Sequence, residues 1–432
     1  MKFGASGFKR FFKTSVIFFI GTVLSKVVSF FMIPLYTKYI STESMGEFDL
    51  ILTYVNAVIP VLFVEIWSAL IRFLHDSSEE SYKNRVFSAL GKVMFVSTLV
   101  GTAIVLILNF IFDINNILQI YLLGLLLAIS YIYQFGARGV EDNIGFAISG
   151  VINTFVLSLS NYIFIVKFSW GLDALLLSMI LGNLAQIVFL EFRIKLLRKL
   201  FKRDKSDSML KSMIKYSLPL SVNSISFWAL KSSNKVVMNE ILGLEANGIY
   251  AVSQKFANLV AFITTAFNYA WQDIAFSKKD KDDGEFYSQA VGYYTLALGV
   301  GGALLIIASK WIAPLIIHEN YSMSIALIPL GIMGAIANSI STFVGNIFGA
   351  IKNTTNILTS TLICSVLNII LSIILMPIIG MQGANIALFA SFVLNIIIRM
   401  ARLNKLIGVK FNIKYTLISI AVSSLAIFIF YL

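Results

Sequence analysis

Long apolar runs separated by short polar connections make up most of the chain, and the polar positions inside those runs recur at helical steps. After a basic stretch over residues 1–13, with Lys2, Lys9, Arg10 and Lys13, an apolar run reaches Tyr36. The run is too long for a signal peptide, is interrupted by Lys26 and lacks a small-residue cleavage site, so it reads as a retained first span. Further runs cover 47–71, 86–112, 117–137, 144–166, 173–192, 214–240, 247–273, 286–309, 323–350, 356–377, 382–398 and 415–432. With the first they make thirteen candidate helical spans, the last of them short.

The longest polar connection, 195–215, falls near the middle of the chain. It predicts a six-helix lobe over 1–200, a cytoplasmic linker at 201–213, a second six-helix lobe over 214–402, and a basic segment at 403–432 ending in a candidate thirteenth helix. Internal similarity follows the same division. A shift of about 202 residues lays Glu43, Gly46, Phe48 and Asn56 onto Glu245, Gly248, Tyr250 and Asn258, and a shift near 200 lays Phe87, Ser88 and Gly101 onto Tyr287, Ser288 and Gly301. Six spans intervene, so the two copies run in the same direction, as in transporters built from parallel repeats.

Composition changes the picture in one respect, by excluding a soluble protein: of 432 residues, 58% are hydrophobic and 13% charged. The formal charge of +12 sits mainly in connections between runs, which reads as membrane topology and excludes a nucleic-acid partner. With the N-terminus in the cytoplasm, most of the 34 basic residues fall on the cytoplasmic side, and only Lys38, Lys167 and Lys310 fall outside. Cys364, the one cysteine, allows no intrachain disulfide, and His75 and His318 suggest no ligand set, so neither a metal nor a cofactor is expected. No phosphate-binding loop, catalytic signature or domain-sized extramembrane loop is present, which argues against a pump ATPase, a glycosyltransferase and a polymerase.

Lysines inside spans carry the functional signal. A lysine at mid-span costs roughly 2.5–3.5 kcal/mol on insertion scales, so it faces protein or a wet cavity. Lys26 and Lys231 lie mid-span; Lys235 and Lys255 lie roughly 7–10 Å from a span end at 1.5 Å per residue, within snorkelling reach. Ser224, Trp228, Lys231 and Lys235 share one helix face, as do Gln254, Asn258, Ala261, Thr265, Asn268 and Gln272, with Lys255 beside them. These two stripes predict a basic cavity for an anionic substrate, lined by Lys26, Lys231, Lys235, Lys255, Asn258 and Trp228. A structural ion pair of Lys26 with Asp49 or Glu65 is the competing reading. Glu65 is the deepest acid and either pairs with Arg72 or carries a coupling ion; Asp49, Glu240 and Asp273 sit near span ends. Gly345 and Gly349 form a GxxxG that predicts close packing of two helices.

Three stretches carry a family resemblance: GTVLSKVVSFFMIPLYTKYISTESMG at 21–46, YSLPLSVNSISFWALKSSNKVVMNEILGLEANGIYAVSQKFANL at 216–259 and IIGMQGANIAL at 378–388. The chain resembles the Wzx-type lipid-linked oligosaccharide flippases of the multidrug/oligosaccharidyl-lipid/polysaccharide exporter superfamily over about residues 10–400. The resemblance implies an all-α polytopic fold with two six-helix lobes in a V. It further implies a bacterial plasma membrane and an undecaprenyl-diphosphate-linked oligosaccharide turned to the outer leaflet. Membrane lipids and a polysaccharide polymerase or export machinery are the implied partners. A cation-coupled drug antiporter of the same superfamily is the alternative, and it would favour buried carboxylates over lysines.

Overall fold

A computed structural model describes residues 28–77, 79–200, 207–277, 283–351, 353 and 355–432. The polypeptide forms helices α1 (Ile33–Tyr39), α2 (Thr42–Leu62), α3 (Ile66–Leu74), α4 (Glu80–Phe112), α5 (Ile117–Gly139), α6 (Asn143–Tyr162), α7 (Leu172–Ile194) and α8 (Leu196–Leu200). The series continues with α9 (Asp207–Ser277), α10 (Gly284–Ile316), α11 (Met323–Ala350), α12 (Thr355–Ile379), α13 (Gln382–Ile407) and α14 (Ile413–Tyr431). Among the described residues, ten helices are long and apolar enough to cross a membrane, in keeping with the all-helical, polytopic expectation. Lys26 and the first predicted span up to residue 27 lie outside the described residues, and only the end of that span, residues 28–36, is described.

Polar caps set the helix starts. Ser41 accepts the Ser44 N–H at 3.1 Å at the head of α2, Asp283 accepts the Phe286 N–H at 2.9 Å at α10, and Asn412 accepts the Tyr415 N–H at 3.2 Å at α14. Asp142 caps α6 through the Gly145 N–H at 2.9 Å and also accepts from Arg193 Nε and Nη2, along one edge of the guanidinium, at 2.6 and 2.8 Å. That guanidinium holds the Asp142 carboxyl below the usual carboxylate range. A depressed carboxyl contributes stability that is complete above its unfolded value near 3.9 and is lost as pH falls through the folded value. In thermal melts, the stability gap between wild type and Asp142→Asn is therefore expected to be constant from pH 7 to about 5 and to close below about pH 4.

Two predicted spans differ from the structure. The run 47–71 is broken: α2 contains Pro60, and Val64 and Glu65 adopt left-handed backbone, φ 51° and 46°, before α3 begins. Proline removes a helical donor, and the Pro60 carbonyl instead takes the Glu65 N–H at 2.9 Å and the Ser221 hydroxyl at 2.7 Å. The run 382–398 extends as α13 to Ile407, where Gly408 at φ 73° closes the helix. The candidate thirteenth helix forms as α14 and is pinned along its neighbours: Lys310 Nζ donates to the Ile429 carbonyl at 2.8 Å, and the Tyr431 hydroxyl donates to the Ala326 carbonyl at 2.6 Å.

The helices divide into two compact units, and the division falls inside α2 and α9. Residues 51–225 form the first unit. In it α6 packs along α7 and α7 along α5, with α3 on α5. A buried amide joins three of these helices: Gln186 accepts from Ser130 at 2.8 Å and donates to Ser149 at 3.1 Å. The second unit takes residues 33–50 and 226–432. There α12 packs on α13, α11 on α13 and α10 on α14. Gly299 makes the last crossing tight, since a Cβ on it would lie 1.9 Å from Ser419 Oγ.

Candidate functional site: a lysine and aspartate cluster between α1, α2 and α9

In the second unit, residues 33–50 are stapled to the rest by polar groups at both ends. Thr37 Oγ1 accepts the His318 N–H at 3.2 Å, and the Tyr321 hydroxyl reaches the Ile40 and Ser41 carbonyls at 3.1 and 2.9 Å. Asn247 Nδ2 donates to the Gly46 carbonyl at 3.2 Å. Between these, α2 meets the second arm of α9 without side chains in the way. A Cβ on Gly46 would lie 1.9 Å from the Leu244 carbonyl oxygen, and one on Gly248 would lie 1.8 Å from the Thr42 carbonyl oxygen. Thr42 and Leu244, like Gly46 and Gly248, stand 202 positions apart, so the contact is reciprocal and follows the repeat register read from the sequence. The hairpins also bend at equivalent points: α1 and α2 part at Ile40 and Ser41, and the two arms of α9 part at Gly243, whose φ of 85° and ψ of 177° suit glycine alone.

One helical turn beyond Gly46, Asp49 meets the first arm of α9. Lys235 Nζ lies 2.8 Å from its carboxylate, with side chains 21% and 18% exposed. Lys255, from the second arm of α9, sets its Nζ 5.0 Å from the centre of the Tyr36 ring, and Asp49 and Lys235 are both within its electrostatic reach. Tyr36 is 7% exposed. Lys255 has no carboxylate at ion-pair distance among the described residues, so the cluster carries two lysines against one aspartate. A water-poor site with a cationic surplus attracts an anion, and lysine supplies it as a point charge without the forked geometry of arginine.

The structure brings together Lys235, Lys255 and Asp49. Lys231 and Asn258 are exposed and Trp228 is half-buried on α9. Asp49, one of the two acids read as a partner for Lys26, pairs with Lys235, and Lys26 itself lies outside the described residues. Glu65 belongs to the first unit, at the break between α2 and α3. It accepts hydrogen bonds from the Ser68 hydroxyl at 3.1 Å and from the Ser224 hydroxyl, while Arg72, its predicted partner, pairs with Asp76. The break turns the carboxylate toward α9, so the spacing of Glu65 and Arg72 along a continuous helix no longer applies.

Arg399 escaped the sequence reading, which counted it among cytoplasmic charges. It lies inside α13 at 6% exposure. Its guanidinium donates to the Ser360 hydroxyl at 3.0 Å, the Ser341 carbonyl at 2.6 Å and the Thr361 hydroxyl at 3.0 Å, joining α11, α12 and α13. Gly345 makes room for it, since a Cβ there would lie 2.8 Å from Nη1; at this glycine the close approach is to a side chain and not to a second GxxxG helix. The signal that could have found Arg399 is the hydroxyl set at Ser341, Ser360 and Thr361, spaced to meet one fork.

The sequence profile of the polysaccharide biosynthesis protein family matches residues 11–272, more than half of the chain. The chain belongs to that family. No curated protein sequence matches it. Among solved structures, a lipid II flippase MurJ in an inward closed conformation superposes with a TM-score of 0.69 at 16% identity, covering 96% of this chain and 98% of that one. An inward-facing multidrug resistance MATE family transporter superposes with a TM-score of 0.72 at 13% identity, covering 88% and 95%. An outward-facing MATE family transporter gives 0.63 at 15%, covering 91% and 94%. This member of the polysaccharide biosynthesis family thus has the fold of those solved structures and, with its ten helices long and apolar enough to cross a membrane among the described residues, is a multi-pass membrane protein.

Proposed function

We propose that this protein flips an undecaprenyl-diphosphate-linked oligosaccharide from the cytoplasmic to the outer leaflet of a bacterial plasma membrane by alternating access. The observation that carries the reading is the cationic surplus at Asp49, Lys235 and Lys255, where Lys255 is held against Tyr36 with no carboxylate at ion-pair distance among the described residues. A diphosphate brings the missing negative charge, and the lipid tail stays in the bilayer while the headgroup crosses. Lys26, Lys231, Trp228 and Asn258 extend the proposed contact surface. A cation-coupled antiporter for cationic drugs would need the opposite sign at such a site.

The deciding measurement uses purified protein in liposomes, with a fluorescent polyprenyl-diphosphate oligosaccharide and a cationic dye as competing cargoes. Turnover of the lipid-linked sugar is expected, and transport of the dye alone would overturn the reading. Glu65→Gln keeps one acceptor oxygen and turns the other into an NH2 donor, to which one of the Ser68 and Ser224 hydroxyls can turn a lone pair, so flipping is expected to stay within about twofold of wild type. Abolished flipping with intact substrate binding would instead assign Glu65 a coupling proton or cation. The orientation is tested by a cysteine at Lys205, which an impermeant thiol reagent is expected to label only after the cells are opened; Cys364 is buried and does not interfere.

A further inference from the structure

Away from the lysine cluster, the second unit has an apolar groove of about 920 Å³ between the C-terminal arm of α9, α10 and Phe343 of α11. Its floor on α10 is a stripe of small residues, Ala290, Ala297, Gly301 and Ala308, spaced by seven, four and seven positions and so aligned on one helix face. A second set on α10, Gly292 and Gly299, is filled by α14, whereas a Cβ on Gly301 would meet nothing within 4 Å. One wall is a continuous aromatic stack: Trp271 on Phe343 at 4.3 Å, Phe343 on Tyr294 at 4.2 Å and Tyr294 on Phe267 at 5.0 Å.

Length and chemistry select the occupant. Phe286 and Ala308, at the two ends of the groove, are 22 positions apart on α10, about 33 Å at 1.5 Å per residue. That is the full thickness of a hydrocarbon core, about 30 Å, whereas the acyl chain of a phospholipid reaches only to the midplane, about half of it. A chain that fills this groove is therefore far longer than an acyl chain. The alternation of small floor residues with Leu304 and Leu305 leaves recesses for branches, and aromatic faces suit an unsaturated chain. At the end where Trp271 and Phe286 stack, the Trp271 side chain is 95% buried by its 5% exposure, yet its Nε1–H has no acceptor among the described residues. A buried donor left open there calls for an oxygen on the occupant. In the proposed orientation this is the cytoplasmic end, where a lipid phosphate sits.

We propose that this groove is a seat for the polyprenyl chain of the substrate lipid, with its first phosphate oxygens accepting from Trp271 Nε1–H and the chain lying on Ala290, Ala297, Gly301 and Ala308. The proposal rests on the flippase reading, and it separates the seat of the tail from the lysine cluster that takes the diphosphate-sugar during transit. The seat would hold the lipid before transit, and the phosphate leaves Trp271 when the headgroup moves to the lysine cluster.

The test places p-benzoylphenylalanine at Leu304, a large and 65% exposed groove residue, of the full-length protein in nanodiscs and photolyses it with radiolabelled polyprenyl phosphate, a probe without sugar, against phosphatidylglycerol. Ile420, 54% exposed on α14, is the control position. Polyprenyl phosphate is expected to be captured at Leu304 at least tenfold over Ile420. Trp271→Phe, which keeps the ring stack and removes the donor, is expected to weaken binding about tenfold without shifting the melting temperature. Gly301→Trp is expected to fill the groove, abolish capture at a probe placed on Ala308 and slow flipping at least tenfold. Capture of phosphatidylglycerol alone, or wild-type flipping by Gly301→Trp, would overturn the seat and leave the flippase reading standing. Selective capture by a protein that never turns over the sugar-linked lipid would overturn the flippase reading and leave the seat in place.

Discussion

Gly248→Val is expected to leave little folded protein in the membrane. Its Cβ would fall 1.8 Å from the Thr42 carbonyl oxygen, and because the struck atom is backbone, no rotamer change relieves it. Overpacking an adjustable core costs about 1–3 kcal/mol; parting α2 from α9 also breaks the Asn247 bond to the Gly46 carbonyl and loosens Asp49 from Lys235, so the loss should sit at or above that range. Against a total stability of order 5–15 kcal/mol, membrane abundance and melting temperature should both drop clearly. Gly46→Val should behave alike, and the double variant should cost little more than either single one, since one separation relieves both clashes. Gly243→Ala is a useful contrast, limited to backbone strain of about 1–3 kcal/mol. Wild-type melting of Gly248→Val would show that the two hairpins do not meet at these glycines.

Lys255→Ala and Lys235→Ala should fail in opposite ways. Lys255 has no ion pair among the described residues, so its loss is expected to leave folding intact while reducing flipping of the diphosphate-linked lipid at least tenfold. Lys255→Arg should retain part of the activity, keeping charge while losing the compact ammonium. Lys235→Ala removes the 2.8 Å ion pair to Asp49. Breaking a fully buried pair costs about 3–5 kcal/mol, but this pair is about one-fifth exposed, so a loss of about 2 kcal/mol is expected. The double variant Lys235→Ala with Asp49→Asn should cost less than the sum of the two single losses, since both break the same pair. Membrane abundance, melting and flipping measured side by side separate the two lysines; equal loss of stability in both would make the cluster a structural ion pair and nothing more.

Features that depend on local order were legible in the chain: the apolar runs, the hairpin hinged near Gly243, and the 202-residue register that reappears as the reciprocal glycine contact. The lysines stood out because charge is costly in an apolar run. Their partners were not legible, since spacing along one helix says nothing about which neighbour presents Asp49. The break at Val64 and Glu65 was hidden because no glycine marks it: two non-glycine residues take left-handed backbone four and five positions after Pro60. Arg399 was misplaced because a helix end was drawn two turns early. The stripe at Ala290, Ala297, Gly301 and Ala308 was visible in principle, but in a chain this apolar a face of small residues carries no contrast until its neighbours are known.

The passage of residues 33–50 into the second unit bears on how the protein is made. Asp49 emerges from the ribosome about 200 residues before Lys255, which at roughly 5–20 residues per second is a wait of about 10–40 s. Throughout that interval the head of α2 is inserted with its carboxylate, its bare glycine face and the Ile40 and Ser41 carbonyls still awaiting their partners. The N-terminal hairpin is thus an early-born part of a late-finished structure. A nascent chain that stops at residue 225 presents those groups to insertion chaperones and membrane proteases, so quality control of this protein has a defined surface to recognise until α9 arrives.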